Sequence, residues 1–306
     1  MRVPYALAIL ILLGIFAVLV LPPEQVPVPV EAVFKVPGYR GVFDSLAPVG
    51  SELWVTDKGA GAIVIFDRKS KKLKRILRGR RYGFEVPNGI AALVTQQEKG
   101  QLQGRIFIAD MGRAEVLAFT PQGELVEAYG KGAFIQPRGI AGYRKNGTYH
   151  LLVTDQRSAD VGALWHLVVD GNAGELRQLG TVRGEVESVA VVPQRDLVLV
   201  ANETLRRLEY IKLSTGKTLG VLGQGVFRGE PEGIAVWEQG GPRIIALDQL
   251  VKGRIIVFGP RPGTVSLFTT SEPELVSPDG LCITDTSLYV VSEDSRVLQI
   301  PLAALY

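Results

Sequence analysis

Pro231-Glu232-Gly233-Ile234-Ala235 is one of six copies of a short phrase, and the spacing of those copies decides the fold. Pro87-Asn88-Gly89-Ile90-Ala91, Pro137-Arg138-Gly139-Ile140-Ala141 and Pro278-Asp279-Gly280-Leu281-Cys282 are equally clear. Asp44-Ser45-Leu46-Ala47 and Glu187-Ser188-Val189-Ala190 are looser copies. The residue before each Gly or Ser stands at 44, 88, 138, 187, 232 and 279, a period of 44 to 50. A period of roughly 45 residues with strand-like content marks a propeller blade.

A second apolar run follows each phrase and ends in a turn former, as in Leu53-Trp54-Val55-Thr56-Asp57 and Ile106-Phe107-Ile108-Ala109-Asp110. Such runs read as strands entering hairpins. Third runs such as Ala62 to Phe66 and fourth runs such as Leu125 to Tyr129 complete the unit. The expected fold is all-β, a six-bladed β-propeller with four-stranded antiparallel blades. The sixth unit has three runs before Tyr306, and one spare run, Glu31 to Val36, precedes the first. That N-terminal strand is expected to complete the last blade and close the ring, which removes an exposed sheet edge.

The propeller is thus expected over residues 31–306 as one domain. Before it, Val3 to Val20 carries no charge and only Arg2 precedes it. That length exceeds a signal-peptide core and approaches the ~20 residues that span a bilayer. Residues 1–21 are therefore expected to form a transmembrane helix acting as signal anchor, or a cleaved signal peptide. Residues 22–30, with four prolines, read as a stiff tether. Charge before the run is positive and Glu24 and Glu31 follow it. This places the propeller outside the cytoplasm, membrane-anchored, or secreted or periplasmic if the signal is cut.

Net charge is +3, so no global basic field argues for nucleic acid. A basic run, Lys69 to Arg81, reads as a solvated outer strand. The single cysteine, Cys282, reads as a structural thiol. Asp57, Asp110, Asp155, Asn202 and Asp248 end their strands and are expected to hold turn backbone.

In a propeller the innermost strands surround a central channel, and small residues let them crowd together. The Gly-Ile-Ala phrase is the candidate inner strand. The residue before it then sits at one channel mouth, giving a ring of Asp44, Asn88, Arg138, Glu187, Glu232 and Asp279. Like charges so placed cannot all stay ionised alone. Either a cation sits among them, or Arg138 and raised pKa values share the load. Oxygen donors suit a hard divalent ion, above all Ca²⁺. Asp44, Asn88, Glu187, Glu232 and Asp279 are the candidate metal ligands.

Gly130-Lys131-Gly132-Ala133-Phe134-Ile135-Gln136-Pro137-Arg138-Gly139-Ile140-Ala141 resembles the signature of NHL-repeat propellers, as does Gly223-Gln224-Gly225-Val226-Phe227 with Pro231 to Ala235. Pro278-Asp279-Gly280-Leu281-Cys282-Ile283 and Pro87-Asn88-Gly89-Ile90 are similar to metal-ligand segments of the gluconolactonase and regucalcin family. That resemblance implies one divalent ion, with Asp279 as ligand and acid/base. Glu230 to Ala235 and Ala246-Leu247-Asp248-Gln249 resemble phrases of the β-propeller phytases, whose mouth acids hold Ca²⁺.

Two functions are expected from these readings. The first is an NHL-like binding module tethered to a membrane, with a divalent cation at its mouth and an unknown protein or small anionic ligand as partner. The second is a metal-dependent hydrolase of lactones or phosphoesters. In it Asp279 or Glu232 moves the proton and Arg138 holds an anionic group of the substrate.

Overall fold

Each repeat folds into one antiparallel sheet in the computed structural model, which describes residues 8–12, 15–19, 24–97, 100–239, 241–261, 263–271 and 273–305. Blade 1 runs from its inner strand Phe43–Val49 through Glu52–Asp57 and Ala62–Asp67 to the outer strand Leu73–Arg78. The inner strands of blades 2 to 6 are Pro87–Gln96, Pro137–Lys145, Val186–Val192, Glu230–Trp237 and Pro278–Ile283. Each packs against the next, and that of blade 6 packs against that of blade 1.

The ring closes as the spare run predicts. Ala32–Lys35 pairs antiparallel with Arg296–Pro301 and supplies the outer strand of blade 6. Phe34 from this strand is fully buried against Phe66 and Tyr289. One element from the start of the chain thus seals the first blade to the last.

Blades adhere through apolar side chains that alternate along the strands, one set facing each neighbour. Trp54 of blade 1 packs with Ile106 and Ile108 of blade 2. Phe107 of blade 2 packs with Leu151 and Val153 of blade 3. The basic run lies on the solvated edge of blade 1, where Lys74 and Arg75 reach Glu52.

The stretch expected as a tether contributes structure of its own. Gln25–Val28 pairs parallel with Val265–Thr270 and makes blade 5 five-stranded. Pro27 lacks an N–H, and a sheet edge tolerates that loss. Ala8–Leu12 and Ile15–Leu19, within the expected anchor helix, pair as a two-stranded antiparallel ribbon. The rest of the expected anchor lies outside the described residues. Among the described residues no helix is long and apolar enough to cross a membrane.

Candidate functional site at the channel mouth

The ring residues owe their direction to a bulge. In blade 1 Phe43 pairs with Asp57 and Leu46 with Val55, so Asp44 and Ser45 together oppose Thr56. The same two-against-one step recurs in the other inner strands, for instance between Pro231 and Ile234 and between Pro278 and Leu281. A bulge releases a residue from the ladder and re-aims its side chain. Thr56 Oγ1 accepts from Ser45 N at 2.8 Å, and Thr154 Oγ1 accepts from Gly139 N at 2.8 Å, so the loosened backbone stays satisfied.

Crowding explains the small residue that follows. A Cβ on Gly89 would lie 2.3 Å from the Arg138 carbonyl oxygen, and one on Gly280 would lie 2.4 Å from that of Asp44. Real Cβ atoms do not approach so closely, so these glycines let adjacent inner strands touch. Below the mouth the inner strands surround a channel of about 320 Å³, lined by residues such as Ile90, Ile140 and Leu281. Cys282 also faces it, its thiol pushed up to about 12 by burial.

At the mouth Asp44, Asn88, Glu187, Glu232 and Asp279 line one small cavity of about 10 Å³, near the lower limit for a single water-sized occupant. The structure brings these five together. Arg138 does not line the cavity. Its guanidinium donates to Glu187, to Glu185 at 3.0 Å and to Glu203 at 3.3 Å.

Three further residues complete the site. Lys58 Nζ lies 2.7 Å from Asp44 and 3.3 Å from Asp279. Gln249 Nε2 donates to Asp279 at 3.0 Å, and Asn88 Nδ2 donates to Asp44 at 3.2 Å. Glu203 stands beside Glu187 and Arg138. All three occupy one repeat position, immediately after Asp57, Asn202 and Asp248, the turn formers that end the second apolar runs. That shared offset was the signal by which they could have been found.

Glu232 differs from its neighbours. It is buried, and no hydrogen-bond donor reaches it among the described residues. Oxygens of Glu187, Glu203 and Glu232 lie within 4.8 Å of one another. Five buried acids therefore share two cations. Burial, then the charge of Glu187 and Asp279, raises the Glu232 carboxyl well above its ordinary range. Burial and the charge of Asp44 raise Asp279. Burial raises Asp44 to about 6, against the pull of Lys58. Burial and Glu187 raise Glu203 to about 9. Burial opposes the Lys58 ammonium, but Asp44 and Asp279 outweigh it and raise its pKa.

The strand-end acids serve the backbone. Asp110 accepts from Glu85 N at 2.7 Å, Val86 N at 3.0 Å and Arg113 N at 3.1 Å. Asp57, Asp155 and Asp248 likewise receive backbone N–H groups from their blades. Asn202 donates to the Arg183 carbonyl and accepts from Leu205 N. The two histidines lie apart on blade 3, where His150 and His166 share one hydrogen bond at 3.1 Å.

No protein-family model matches the chain. No curated protein matches it either. Solved structures do. A propeller chain in a nidogen/laminin complex superposes with a TM-score of 0.60 at 16% identity, over 79% of this chain and 84% of that one. Virginiamycin B lyase from Staphylococcus aureus gives 0.59 at 10% identity, over 89% of this chain and 98% of that one. A catalytically inactive histidine-to-alanine variant of that lyase with quinupristin gives 0.58 at 10% identity, over the same shares of the two chains. At such identities the likeness shows the fold alone.

Proposed function

We propose that this propeller is a binding module whose channel mouth holds a divalent cation, Ca²⁺ above all, and that its N-terminal segment keeps it at a membrane outside the cytoplasm. Glu232 carries the cation reading. A largely buried carboxylate with no protein donor among the described residues, its oxygen within 4.8 Å of those of Glu187 and Glu203, favours a proton or a cation at that place. The three acids offer only oxygen, which fits a hard divalent ion. Lys58 and Gln249 already engage Asp279, and Lys58 and Asn88 engage Asp44. The mutual approach of their oxygens makes Glu187, Glu203 and Glu232 the proposed ligand set, with Arg138 shared by the first two and with Asp44, Asn88 and Asp279 around it.

A hydrolase of the gluconolactonase or phytase-like type is the second reading. A bound ion would polarise a carbonyl or phosphoryl oxygen. The raised pKa values of Asp279 and Glu232 favour it, since a protonated acid can give its proton to the departing oxygen of a leaving group. The size of the cavity favours the binding module: about 10 Å³ admits an ion and no lactone or phosphoester. Arg138, committed to three glutamates, has little left for a substrate anion.

Thermal melts of the full chain with Ca²⁺, with Mg²⁺ and with chelator test the cation. Stabilisation by Ca²⁺ that Glu232→Gln abolishes supports it, and a melt indifferent to both ions contradicts it. Chelator-sensitive lactonase or phosphatase activity would move the weight to the second reading.

A further inference from the structure

One blade interface lacks its filling. The second-strand position that faces the next blade carries Trp54 in blade 1, Phe107 in blade 2 and Tyr289 in blade 6. Blades 3 and 5 carry Leu152 and Ile245 there, and other groups make up the volume. Tyr143 and Leu179 do so between blades 3 and 4, and Val28, Leu302 and Leu305 between blades 5 and 6. Blade 4 has Leu199 at this position. Its outer strand sets Gly220 opposite Tyr210, and a Cβ built on Gly220 would meet nothing within 4 Å.

The result is a cleft of about 520 Å³ between blades 4 and 5, walled by Leu199, Tyr210, Leu222, Ile244, Phe258 and Val265. Its volume lies in the range of small-molecule sites. Arg195 and Arg261 are the charged residues that line it, and no carboxylate does. Arg195 shares Glu238 at 3.4 Å, with both side chains nearly half exposed, while Arg261 makes no ion pair among the described residues. Val192 and Val236, near the ends of the inner strands that begin near Glu187 and Glu232, place the cleft away from the acids.

Leu222 and Tyr210 share the face of blade 4 that turns to blade 5, and on the outer strand of blade 5 Leu267 turns to blade 4. Gln25 sits beside Leu267 in parallel register, two residues from Val265 of the cleft wall. Gln25 thus stands on the cleft side of blade 5, five positions after the uncharged run Val3 to Val20.

We propose that this cleft binds a long-chain fatty acid anion, its hydrocarbon chain between the two blades and its carboxylate at Arg195 and Arg261. Aliphatic and aromatic walls reward burial of methylenes. Two guanidinium groups, of which only Arg195 shares a carboxylate, select an anionic head over a neutral one. This site is separate from the channel mouth and stands or falls without it.

Delipidated full-length chain titrated with palmitate by calorimetry should bind one equivalent. Gly220→Trp, on the strand face shared with the cleft residues Tyr210 and Leu222 and where a Cβ meets nothing within 4 Å, should weaken binding at least tenfold without lowering the melting temperature. Should that variant fail to fold, Leu199→Trp gives the same reading from the position that holds Trp54 in blade 1. Hexadecanol should bind at least tenfold more weakly than palmitate, and Arg195→Ala with Arg261→Ala should erase that preference. Wild-type affinity in the filled cleft, equal affinity for acid and alcohol, or association only with phosphatidylglycerol vesicles would each overturn the proposal.

Discussion

The ammonium of Lys58 lies 3.3 Å from the carboxylate of Asp279, 221 positions further along the chain, and ties the first blade to the last. The same nitrogen stands 2.7 Å from Asp44. One cation thereby serves two buried acids on one side of the mouth, while Arg138 serves Glu187 and Glu203 on the other. Glu232 falls between these two groups with neither.

Lys58→Met should leave Asp44 and Asp279 without their counter-charge. Breaking a fully buried pair costs about 3–5 kcal/mol, and the 30% exposure of the Lys58 side chain reduces this to about 2 kcal/mol at neutral pH. The deficit should shrink near pH 5, where Asp44, already raised to about 6, takes up a proton. Urea denaturation at the two pH values measures both effects. An unchanged midpoint would remove Lys58 from the account.

Stability should fall as pH rises from mildly acidic to alkaline. Unfolded carboxylates titrate near about 4, whereas Asp44 is raised to about 6, Glu203 to about 9, and Glu232 and Asp279 upward as well. The folded chain therefore holds protons that the unfolded chain releases. Its contribution is full below about pH 4 and is lost as pH rises through the folded values. Calorimetric melts across this span should show the decline, and Glu203→Gln should flatten its alkaline part.

Ring closure should be worth as much as any core contact. Phe34→Ala empties a fully buried site on the closing strand, at about 3–5 kcal/mol. Loss of the whole cooperative transition, and not of blade 6 alone, is the expected result in denaturant. A loss below about 1 kcal/mol would show that the ring holds without its N-terminal strand.

Asp110→Ala separates scaffold from site. It strips acceptors from three backbone N–H groups and should cost about 2–3 kcal/mol. Cation affinity at the mouth should not change, because Asp110 belongs neither to the cavity lining nor to the cluster of Glu187, Glu203 and Glu232.

The repeat made the inner strands, the mouth ring and the closing strand legible, because each depends on sameness at a fixed period. Gly89, Gly139, Gly233 and Gly280 recur since inner strands touch there. Lys58, Glu203 and Gln249 escaped because their position carries Lys58, Met111, Gln156, Glu203, Gln249 and Glu293 in the six blades, with no common chemistry. The cleft escaped for a related reason, as it arises from what Leu199 and Gly220 lack. Strand pairing of Gln25–Val28 was masked by Pro27, which argues against a central strand but not against an edge.

A crystal structure of the full chain grown with Ca²⁺, using long-wavelength anomalous differences, tests the central claim most directly. The account predicts one anomalous peak at the mouth, about 2.3–2.6 Å from oxygens of Glu187, Glu203 and Glu232, absent in Glu232→Gln. A mouth without such a peak, where Glu232 instead shares a proton with a neighbouring acid, would contradict it.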